Sequence, residues 1–365
     1  MPRQPVVHRQ LPNGTPAVHA LVIGVGRYNT AGPPPLNGAA DSAIAFAAWL
    51  LQKQHAPGLE LGSVDILASQ ASGVPVKWNG HDLDPPSSAL VQQAVDAWHD
   101  RAAAMRENLA VFYFCGHGVE VGALESLLLG DVDLTCQDPF ANALAFDDFI
   151  RGMDSCGARK QLFVIDACRE LPPGYGAWDD AVGLGRPMVR FNLKRRAAMR
   201  PRLHAVLQAT SSTQKAWPGR QQGWFTEALL LVLDGAAGNN RYAASVNEFP
   251  VNTREIVPTI ELLMQREFIP PPVGDQQPVR RGEGDFDLHL PDPPQVPVLV
   301  THEPAALNQG RQMSAKRAGV EVANYTWTDA RPWQSTLAVG VYEFCSESGV
   351  HREEIVVPAR KVVLQ

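Results

Sequence analysis

The chain has 365 residues, of which 45% are hydrophobic and 19% are charged, and these proportions are ordinary for a soluble globular protein. Its formal net charge of -6 gives no reason to expect a nucleic-acid partner. No apolar stretch reaches membrane-spanning length, the start shows no signal-peptide segment, and the five cysteines show no paired spacing. Together these features predict a cytoplasmic protein without a membrane contact or a disulfide framework.

Most of the chain alternates short apolar runs with segments of helical period. Such alternation favours a mainly parallel sheet that is covered by helices on both faces. The predicted elements are, in chain order, the strand Val18–Val25, the helix Ala39–Gln54, the strand Val64–Leu67, the helix Ser87–Met105, the strand Leu109–Phe114, the short hairpin strand Leu127–Gly130, the helix Phe146–Met153, the strand Gln161–Ile165, the strand Leu203–Leu207, the helix Phe225–Asp234 and the helix Val257–Phe268.

Two regions depart from this alternation. Residues 171–202 form an insertion with seven basic side chains between Arg186 and Arg202, and an insertion of this length inside a domain is usually functional or mobile. Residues 291–297 are rich in proline and predict a stiff linker. Beyond it, short strands with turn signals between them predict a small β-sandwich at 298–365, which leaves residues 14–290 for the α/β domain. Gly340–Phe344 and Glu354–Pro358 resemble small Ig-like modules.

Two chemically reactive side chains follow two of the predicted strands. His117 comes shortly after the run Leu109–Phe114, and Cys168 comes shortly after Gln161–Ile165. Reactive groups of an open α/β sheet gather at the carboxyl ends of its strands, so an imidazole and a thiol would face one cleft. That pair suits covalent catalysis, with Cys168 as nucleophile and His117 as its proton partner. Taken singly, a structural histidine at a strand end and a buried cysteine remain the alternatives.

The residues around this pair resemble the caspase and metacaspase group of cysteine peptidases. Asp166–Glu170 is similar to the caspase signature Gln-Ala-Cys-Arg/Gln/Gly-Gly, with its histidine about 50 residues upstream. An aspartate stands here in place of the glutamine, and a glutamate in place of the last glycine. Further similar segments are Val22–Tyr28, Leu36–Asp41, Ala209–Ser212, Trp224–Leu230 and Gly284–Phe286. The resemblance implies an α/β fold, a caspase-like α/β/α sandwich with a mainly parallel central sheet. The small β-sandwich that follows is predicted from its own strand pattern.

The resemblance also implies a role for each residue of the candidate site. The Cys168 thiolate would attack a peptide carbonyl, and His117 would give a proton to the leaving amine. The backbone amides of Gly118 and Cys168 would form the oxyanion hole.

A basic substrate side chain is the expected occupant of the specificity pocket. Asp166 lies two residues before the nucleophile and therefore on the same side of the strand, where related peptidases accept Arg or Lys. Asp41 and Cys115 are the further pocket residues that the resemblance implies, although the usual position of the helix aspartate holds Ser42. A helix-capping or turn carboxylate is the alternative interpretation of Asp166.

No cofactor and no metal is predicted. Asp131 and Asp133 resemble the calcium sites of some metacaspases, but such a pair is also typical of a solvated turn. Calcium activation is therefore unsupported. The remaining cysteines lack the spacing of metal ligands, and the Gly24-x-Gly26 turn lacks the third glycine of a dinucleotide site.

We therefore predict a cysteine endopeptidase that cleaves protein or peptide substrates after Arg or Lys through a Cys–His dyad. A catalytically idle caspase-fold binding or scaffold protein is the alternative. A third hypothesis is a regulated peptidase of a bacterial stress or antiviral defence pathway, with a regulatory ligand or partner at the C-terminal sandwich. The basic segment Arg186–Arg202 is a candidate for self-cleavage, with a solvated surface loop as the alternative.

Overall fold

The computed structural model describes residues 4–52, 58–121, 124–169, 185–189, 202–211, 216, 222–238, 241–243, 246–270, 272 and 276–364. The chain divides into two compact units. The first consists of Met1–Glu227 and Pro272–Phe286, and the second of Ala228–Pro271 and Asp287–Gln365.

Strands and helices alternate along the first part of the chain, and strands dominate the last. The strands are β1 (Val7–His8), β2 (Ala17–Val25), β3 (Glu60–Ser69), β4 (Lys77–Trp78), β5 (His81–Asp82), β6 (Leu109–Gly116), β7 (Gly118–Val121), β8 (Leu124–Leu128), β9 (Ala143–Ala145), β10 (Lys160–Ala167), β11 (Leu203–Gln208), β12 (Arg241–Ala243), β13 (Val246–Glu248), β14 (Val251–Asn252), β15 (Val279–Glu283), β16 (Asp287–His289), β17 (Gln295–His302), β18 (Gln312–Arg317), β19 (Val320–Thr326), β20 (Trp333–Ala338), β21 (Gly340–Ser346), β22 (Gly349–Ile355) and β23 (Arg360–Leu364). The helices are α1 (Ala39–Gln52), α2 (Ser88–Ala103), α3 (Phe146–Met153), α4 (Trp224–Leu233) and α5 (Ile256–Gln265), with a 3-10 turn at Ala305–Asn308.

A seven-stranded sheet of order β1-β3-β2-β6-β10-β11-β15 forms the centre of the first unit. Its five inner strands are parallel, and β1 and β15 are the antiparallel edges. The strands β2 and β6 are buried along their whole length, as expected where helices cover both faces of a parallel sheet. The predicted mainly parallel α/β sheet is confirmed.

Neighbouring residues of β6 show which helices cover which face. The Phe112 ring lies 4.8 Å from the Phe149 ring of α3 and 6.3 Å from the Trp98 ring of α2. The next residue, Tyr113, points to the opposite face and stacks on Phe46 of α1 with 4.5 Å between ring centroids. The sheet therefore has α2 and α3 on one side and α1 on the other.

Strand β3 (Glu60–Ser69) is longer than the predicted Val64–Leu67. The prediction is too short because buried polar residues interrupt the apolar pattern of the strand. Ser63 accepts a hydrogen bond from Arg101 at 3.0 Å and pairs with His19 Nδ1 at 2.9 Å. Asp65 forms an ion pair with the same Arg101 guanidinium. Buried polar groups are tolerated when they are paired in this way, and the apolar pattern alone does not detect such pairing.

Two sheets with a common apolar core form a β-sandwich in the second unit. One sheet has the order β20-β17-β23 and the other β19-β18-β21-β22. The predicted linker 291–297 overlaps β17, which begins at Gln295. Strand β18 has only two apolar residues, Met313 and Ala315, so the apolar pattern does not reveal it. The domain boundaries at 290 and 298 stay a prediction, because only separately expressed fragments would show whether each domain folds on its own.

A ladder of alternating charges explains why the outer face of the four-stranded sheet stays exposed. Lys316 pairs with Glu321 on one side and with Glu343 on the other, and Glu343 pairs with Arg352. Opposite charges that lie directly across neighbouring strands attract each other.

In the part of the chain that the structure describes, no helix is both long and apolar enough to cross a bilayer.

We expect the aromatic cluster between the sheet and α3 to contribute most to the stability of the first unit. Phe149→Ala should lower the free energy of unfolding by about 3–5 kcal/mol, because a fully buried ring leaves a cavity. The urea midpoint of the unfolding transition measures this loss. Val74→Ala is the control, since Val74 is 60% exposed and its truncation should change stability by less than about 0.5 kcal/mol. Equal effects of both substitutions would contradict this assignment of the core.

Candidate active site

The pairing of β6 with β10 brings the two reactive residues to one edge of the sheet. The parallel register aligns Asp166 with Cys115 and Ala167 with Gly116. The next residues of the two strands, His117 and Cys168, therefore leave the carboxyl edge of the sheet side by side. The two apolar runs are neighbours, as the sequence predicted.

His117 is held by two groups of the segment that follows β2. Its backbone N–H donates to Tyr28 Oη at 2.7 Å, and the two rings lie 5.1 Å apart. Its ring nitrogen Nε2 lies 2.9 Å from the carbonyl oxygen of Pro34. A carbonyl oxygen can only accept, so Nε2 carries the hydrogen and Nδ1 carries the lone pair. The ring is thus fixed in one tautomer that can take a proton at Nδ1.

Burial lowers the pKa of His117 below its ordinary value, and the Pro34 carbonyl opposes this effect in part. The neutral imidazole is therefore the dominant form at neutral pH. A neutral imidazole can accept a proton from a thiol and return it later.

Cys168 is half-buried, and none of the five cysteines, all within the described residues, is in a disulfide. The backbone N–H of Ala216 donates to Cys168 Sγ at 3.2 Å, and the carbonyl oxygen of Ala216 lies 3.7 Å from the same sulfur. Gly118 is close on the other side: a Cβ at position 118 would lie 2.6 Å from the Cys168 carbonyl oxygen. The backbone of residue 118 approaches the nucleophile so closely that only glycine fits without a shift.

Asp166 is buried beneath the start of α4. Its Oδ2 accepts the backbone N–H of Thr226 at 3.2 Å and the Thr226 hydroxyl at 2.6 Å. Because the Thr226 hydrogen points to Asp166, the Tyr113 hydroxyl donates to Thr226 Oγ1, at 2.6 Å. Burial raises the pKa of Asp166 to about 6, against the hydrogen bonds from Thr226. The contacts expected of a helix-capping carboxylate are therefore present at this residue.

Ser42 and Cys115 lie in the same buried cluster as Asp166. Ser42 Oγ accepts the backbone N–H of Gly223 at 2.8 Å and is hydrogen-bonded to the Cys115 thiol. Gly223 itself abuts Asp166, since a Cβ at position 223 would lie 2.2 Å from Asp166 Oδ2. Burial, and then the neighbouring Asp166, raise the pKa of Cys115.

The structure does not bring Asp41 to this cluster. Successive residues of a helix point about 100° apart, so Asp41 faces away from the direction of Ser42. Asp41 is exposed and lines a surface cleft of about 300 Å³ with Asn37, Gln70 and Ser72. Ser42, the next residue of the helix, is the one that lies in the cluster with Asp166 and Cys115.

The two aspartates that resemble calcium ligands have local roles. Asp131 accepts the backbone N–H and the hydroxyl of Ser88, both at 2.8 Å, and so caps α2. Asp133 accepts the N–H and the hydroxyl of Thr135 in an exposed turn. Within the described ranges, no three His, Cys, Asp or Glu side chains gather as metal ligands would.

The segment proposed for self-cleavage lies largely outside the described residues. Residues 190–201 belong to the part that is not described. Arg186 is described, and its backbone N–H donates to the Ala143 oxygen while its oxygen accepts from the Ala145 N–H. A peptide bond held in this way is a poor protease substrate, so cleavage after Arg186 is disfavoured.

Sequence reasoning missed the groups that orient the dyad. Tyr28 was noted as part of a motif, but nothing in the sequence connected its hydroxyl to His117. The carbonyl oxygen of Pro34 and the N–H of Ala216 are backbone groups that every such residue carries, so no residue type identifies them. Thr226 lies in a motif of the predicted helix but is 60 residues from its partner Asp166.

Comparisons with known proteins show what the chain is similar to. A family model described as "Caspase domain" matches residues 17–279. An uncharacterized protein of Sinorhizobium fredii is 27% identical over 209 residues, which are 56% of this chain and 57% of that protein. A probable protease of a Desulfuromonadales bacterium is 25% identical over 278 residues, 72% of this chain and 32% of that protein. The chain thus spans about half and about a third of these two relatives.

Two solved structures are also similar. A Geobacter sulfurreducens protein has a TM-score of 0.44 at 18% identity, covering 73% of this chain and 93% of that chain. Caspase-1 from Spodoptera frugiperda has a TM-score of 0.41 at 12% identity, covering 76% of this chain and 94% of that chain.

We predict that the Tyr28 hydroxyl stabilises the fold through the His117 backbone. Tyr28→Phe removes the acceptor of a backbone N–H and should lower the free energy of unfolding by about 1–3 kcal/mol, because a donor loses its partner away from water. Chemical denaturation measures the change. Tyr325→Phe, at a half-buried ring of the second unit, is the control and should have little effect. Unchanged stability in Tyr28→Phe would show that the His117 amide does not depend on this hydroxyl.

Proposed function

Because the chain belongs to the caspase-domain family, we propose that it is a cysteine endopeptidase that cleaves after Arg or Lys through the dyad His117 and Cys168. One observation carries the proposal. The Pro34 carbonyl fixes His117 with its Nδ1 lone pair available, beside a thiol that follows the neighbouring parallel strand. This arrangement suits a general base and its nucleophile.

The proposed reaction proceeds in two steps. The Cys168 sulfur, its proton taken by His117, bonds to the scissile carbonyl carbon, and the amides of Gly118 and Cys168 bind the resulting oxyanion. The C–N bond then breaks while His117 gives its proton to the leaving amine, which leaves a thioester. Water, deprotonated by His117, attacks the thioester and releases the carboxylic acid, and the thiol regains its proton. The Ala216 N–H is a favourable donor toward a sulfur anion.

The proposed preference for Arg or Lys rests on Asp166. Its carboxylate is the acidic group of the buried cluster with Ser42 and Cys115, two residues before the nucleophile. A guanidinium favours a carboxylate that offers planar, bidentate contact. Ser42 adds a polar but uncharged group to this cluster.

One observation favours the idle-scaffold alternative. Both backbone groups of Ala216 lie against Cys168 Sγ, on the sulfur that must meet a substrate. If this contact persisted, the thiol would stay covered and the protein would bind rather than cleave. Labelling by an arginyl chloromethylketone separates the two functions, since the reagent alkylates an accessible, reactive thiol.

The wider context remains a proposal as well. A cytoplasmic location, self-cleavage, a regulatory ligand or partner at the C-terminal sandwich and a role in bacterial stress or antiviral defence all rest on the sequence analysis. Protein or peptide substrates follow from the peptidase family.

We expect Cys168→Ala to abolish peptide cleavage while leaving thermal unfolding nearly unchanged, because the side chain serves the reaction and not the core. Cleavage of a fluorogenic arginyl peptide and a thermal melt measure the two properties. Cys345→Ala, at another half-buried thiol, is the matched control and should keep full activity. Full activity of Cys168→Ala would exclude the proposed nucleophile.

The preference for arginine should depend on pH. The pKa of Asp166 is raised to about 6, so the carboxylate is charged above that pH and becomes neutral below it. The ratio of kcat/KM for an arginyl peptide to kcat/KM for its uncharged citrulline analogue should therefore fall as the pH drops through about 6. The ratio cancels the titration of the dyad, which acts on both substrates alike.

Asp166→Asn is the matched variant for this measurement. It should lower the ratio at pH 7.5 by about 100-fold or more, as expected when an ionic partner is lost, and should make it independent of pH. A ratio that stays high in Asp166→Asn, or a preference for acidic substrates, would overturn the assignment of the pocket.

A further inference from the structure

A cluster of charged and polar side chains, with Glu120 and Glu125 buried at its centre, connects the residue after the nucleophile to the hairpin after the histidine. We call it the Glu125 cluster, and it consists of Glu120, Glu125, Asp147, Arg169, Gln208 and Arg281. Arg169 directly follows Cys168, and Glu125 lies on β8, which pairs with β7, whose first residue is Gly118. None of these charged groups takes part in the proposed reaction.

The register of the β7–β8 hairpin places two buried carboxylates opposite each other, and Arg169 lies close to both. Glu120 and Glu125 lie directly opposite each other in the antiparallel pairing of β7 and β8, and like charges in that position repel. Their side chains are only 8% and 4% exposed. Arg169 Nε lies between them, 2.7 Å from Glu125 Oε1 and 3.2 Å from Glu120 Oε2. One guanidinium therefore compensates two buried carboxylates.

Glu125 is held from several sides. Gln208 Nε2 of β11 donates to Glu125 Oε1 at 2.6 Å, and Arg281 of β15 forms an ion pair with Glu125 Oε2. The Glu125 backbone N–H donates to Asp147 Oδ2 at 2.8 Å, and Asp147 also faces Arg281 at 3.5 Å. Burial raises the pKa of Glu125, and Arg281 and Arg169 are the largest opposing influences. The charge of Glu125 therefore depends on both arginines.

We propose that Arg169 and Glu125 are positioning residues that hold the Cys168 backbone against Gly118, and that Arg281 completes this clamp from the edge strand β15. The inference rests on the proposed function, because it concerns the same dyad. Gly118 and Cys168 are the two residues whose amides would form the oxyanion hole, and they come from different strands. Oxyanion donors act only at a set separation, so the two strand ends must be fixed relative to each other. The ion pairs across the hairpin supply that constraint.

The variants are chosen to separate positioning from folding. Arg169→Gln removes the cation, and Arg169→Lys keeps the charge but loses the planar fork. Glu125→Gln changes a buried residue and is the variant at greatest risk of not folding. Arg281→Gln changes a half-exposed residue of the same cluster, so this variant is expected to fold. Arg151→Gln is the control, since its ion pair with Asp148 is exposed on both sides and touches no part of the cluster.

The first measurement is kcat and KM per active site, with active sites counted by an arginyl chloromethylketone. Arg169→Gln should lower kcat by about 100-fold with little change in KM, the loss typical of a misplaced catalytic group. Arg169→Lys should recover part of that loss, Arg281→Gln should lower kcat less, and Arg151→Gln should match the wild type. A purely structural role would lower the number of titrated sites and leave kcat per site unchanged, and that result would overturn the proposal.

The second measurement does not require activity. Amide hydrogen exchange should be faster in Arg169→Gln than in the wild type within residues 117–121 and 166–169, and unchanged in Arg151→Gln. If the wild type cleaves no peptide, the proposed function fails while hydrogen exchange still tests the clamp. If exchange in both segments is the same in Arg169→Gln, Arg281→Gln and wild type, the clamp does not exist, whatever the activity.

Discussion

Parallel pairing of β6 with β10 brings His117 and Cys168 to the same edge of the sheet. A shift of one residue in this register would move Cys168 away from His117 and turn Asp166 to the other face of the sheet, because side chains alternate along a strand. Continuous apolar sequence on both strands, buried on both faces, supports the pairing, and the aromatic contacts of Phe112 and Tyr113 anchor opposite sides of it.

The carboxylates Asp166 and Glu125 are buried near the candidate dyad, and each contacts polar or charged partners. Asp166 receives two hydrogen bonds from Thr226, and Glu125 receives ion pairs from two arginines. An unpaired buried carboxylate would cost far more than such contacts return, so these partners must be present together. The same low-dielectric surroundings raise the pKa of both carboxyl groups and lower that of His117. Burial shifts the pKa values of these groups, and their partners offset the cost of burying them, so the same contacts affect both the stability of the fold and the charges at the candidate site.

Backbone groups do much of the orienting. The carbonyl of Pro34 sets the tautomer of His117, and the N–H of Ala216 meets the sulfur of Cys168. Such contacts depend on where a loop runs and not on which side chain it carries, apart from the space that Gly118 leaves open. Side-chain motifs find the reacting residues of such a site more readily than they find what holds them.

The sequence by itself determined the α/β class and the order of the central elements, and it predicted that His117 and Cys168 follow two neighbouring strands of the sheet, as they do. The helix Phe146–Met153 has the predicted bounds, because its apolar positions recur at helical spacing and no buried polar group masks them. Tertiary structure alone decided the strand register, the contacts of Ser42 with Gly223 and Cys115, and the ion pairs that join Arg169 to Glu125. Residues far apart in the chain make these contacts, and their energies depend on burial and on distances of a few ångströms. Local propensity and periodicity depend only on residues that are close in the sequence. They therefore cannot predict burial or the distances between residues that are far apart in the chain.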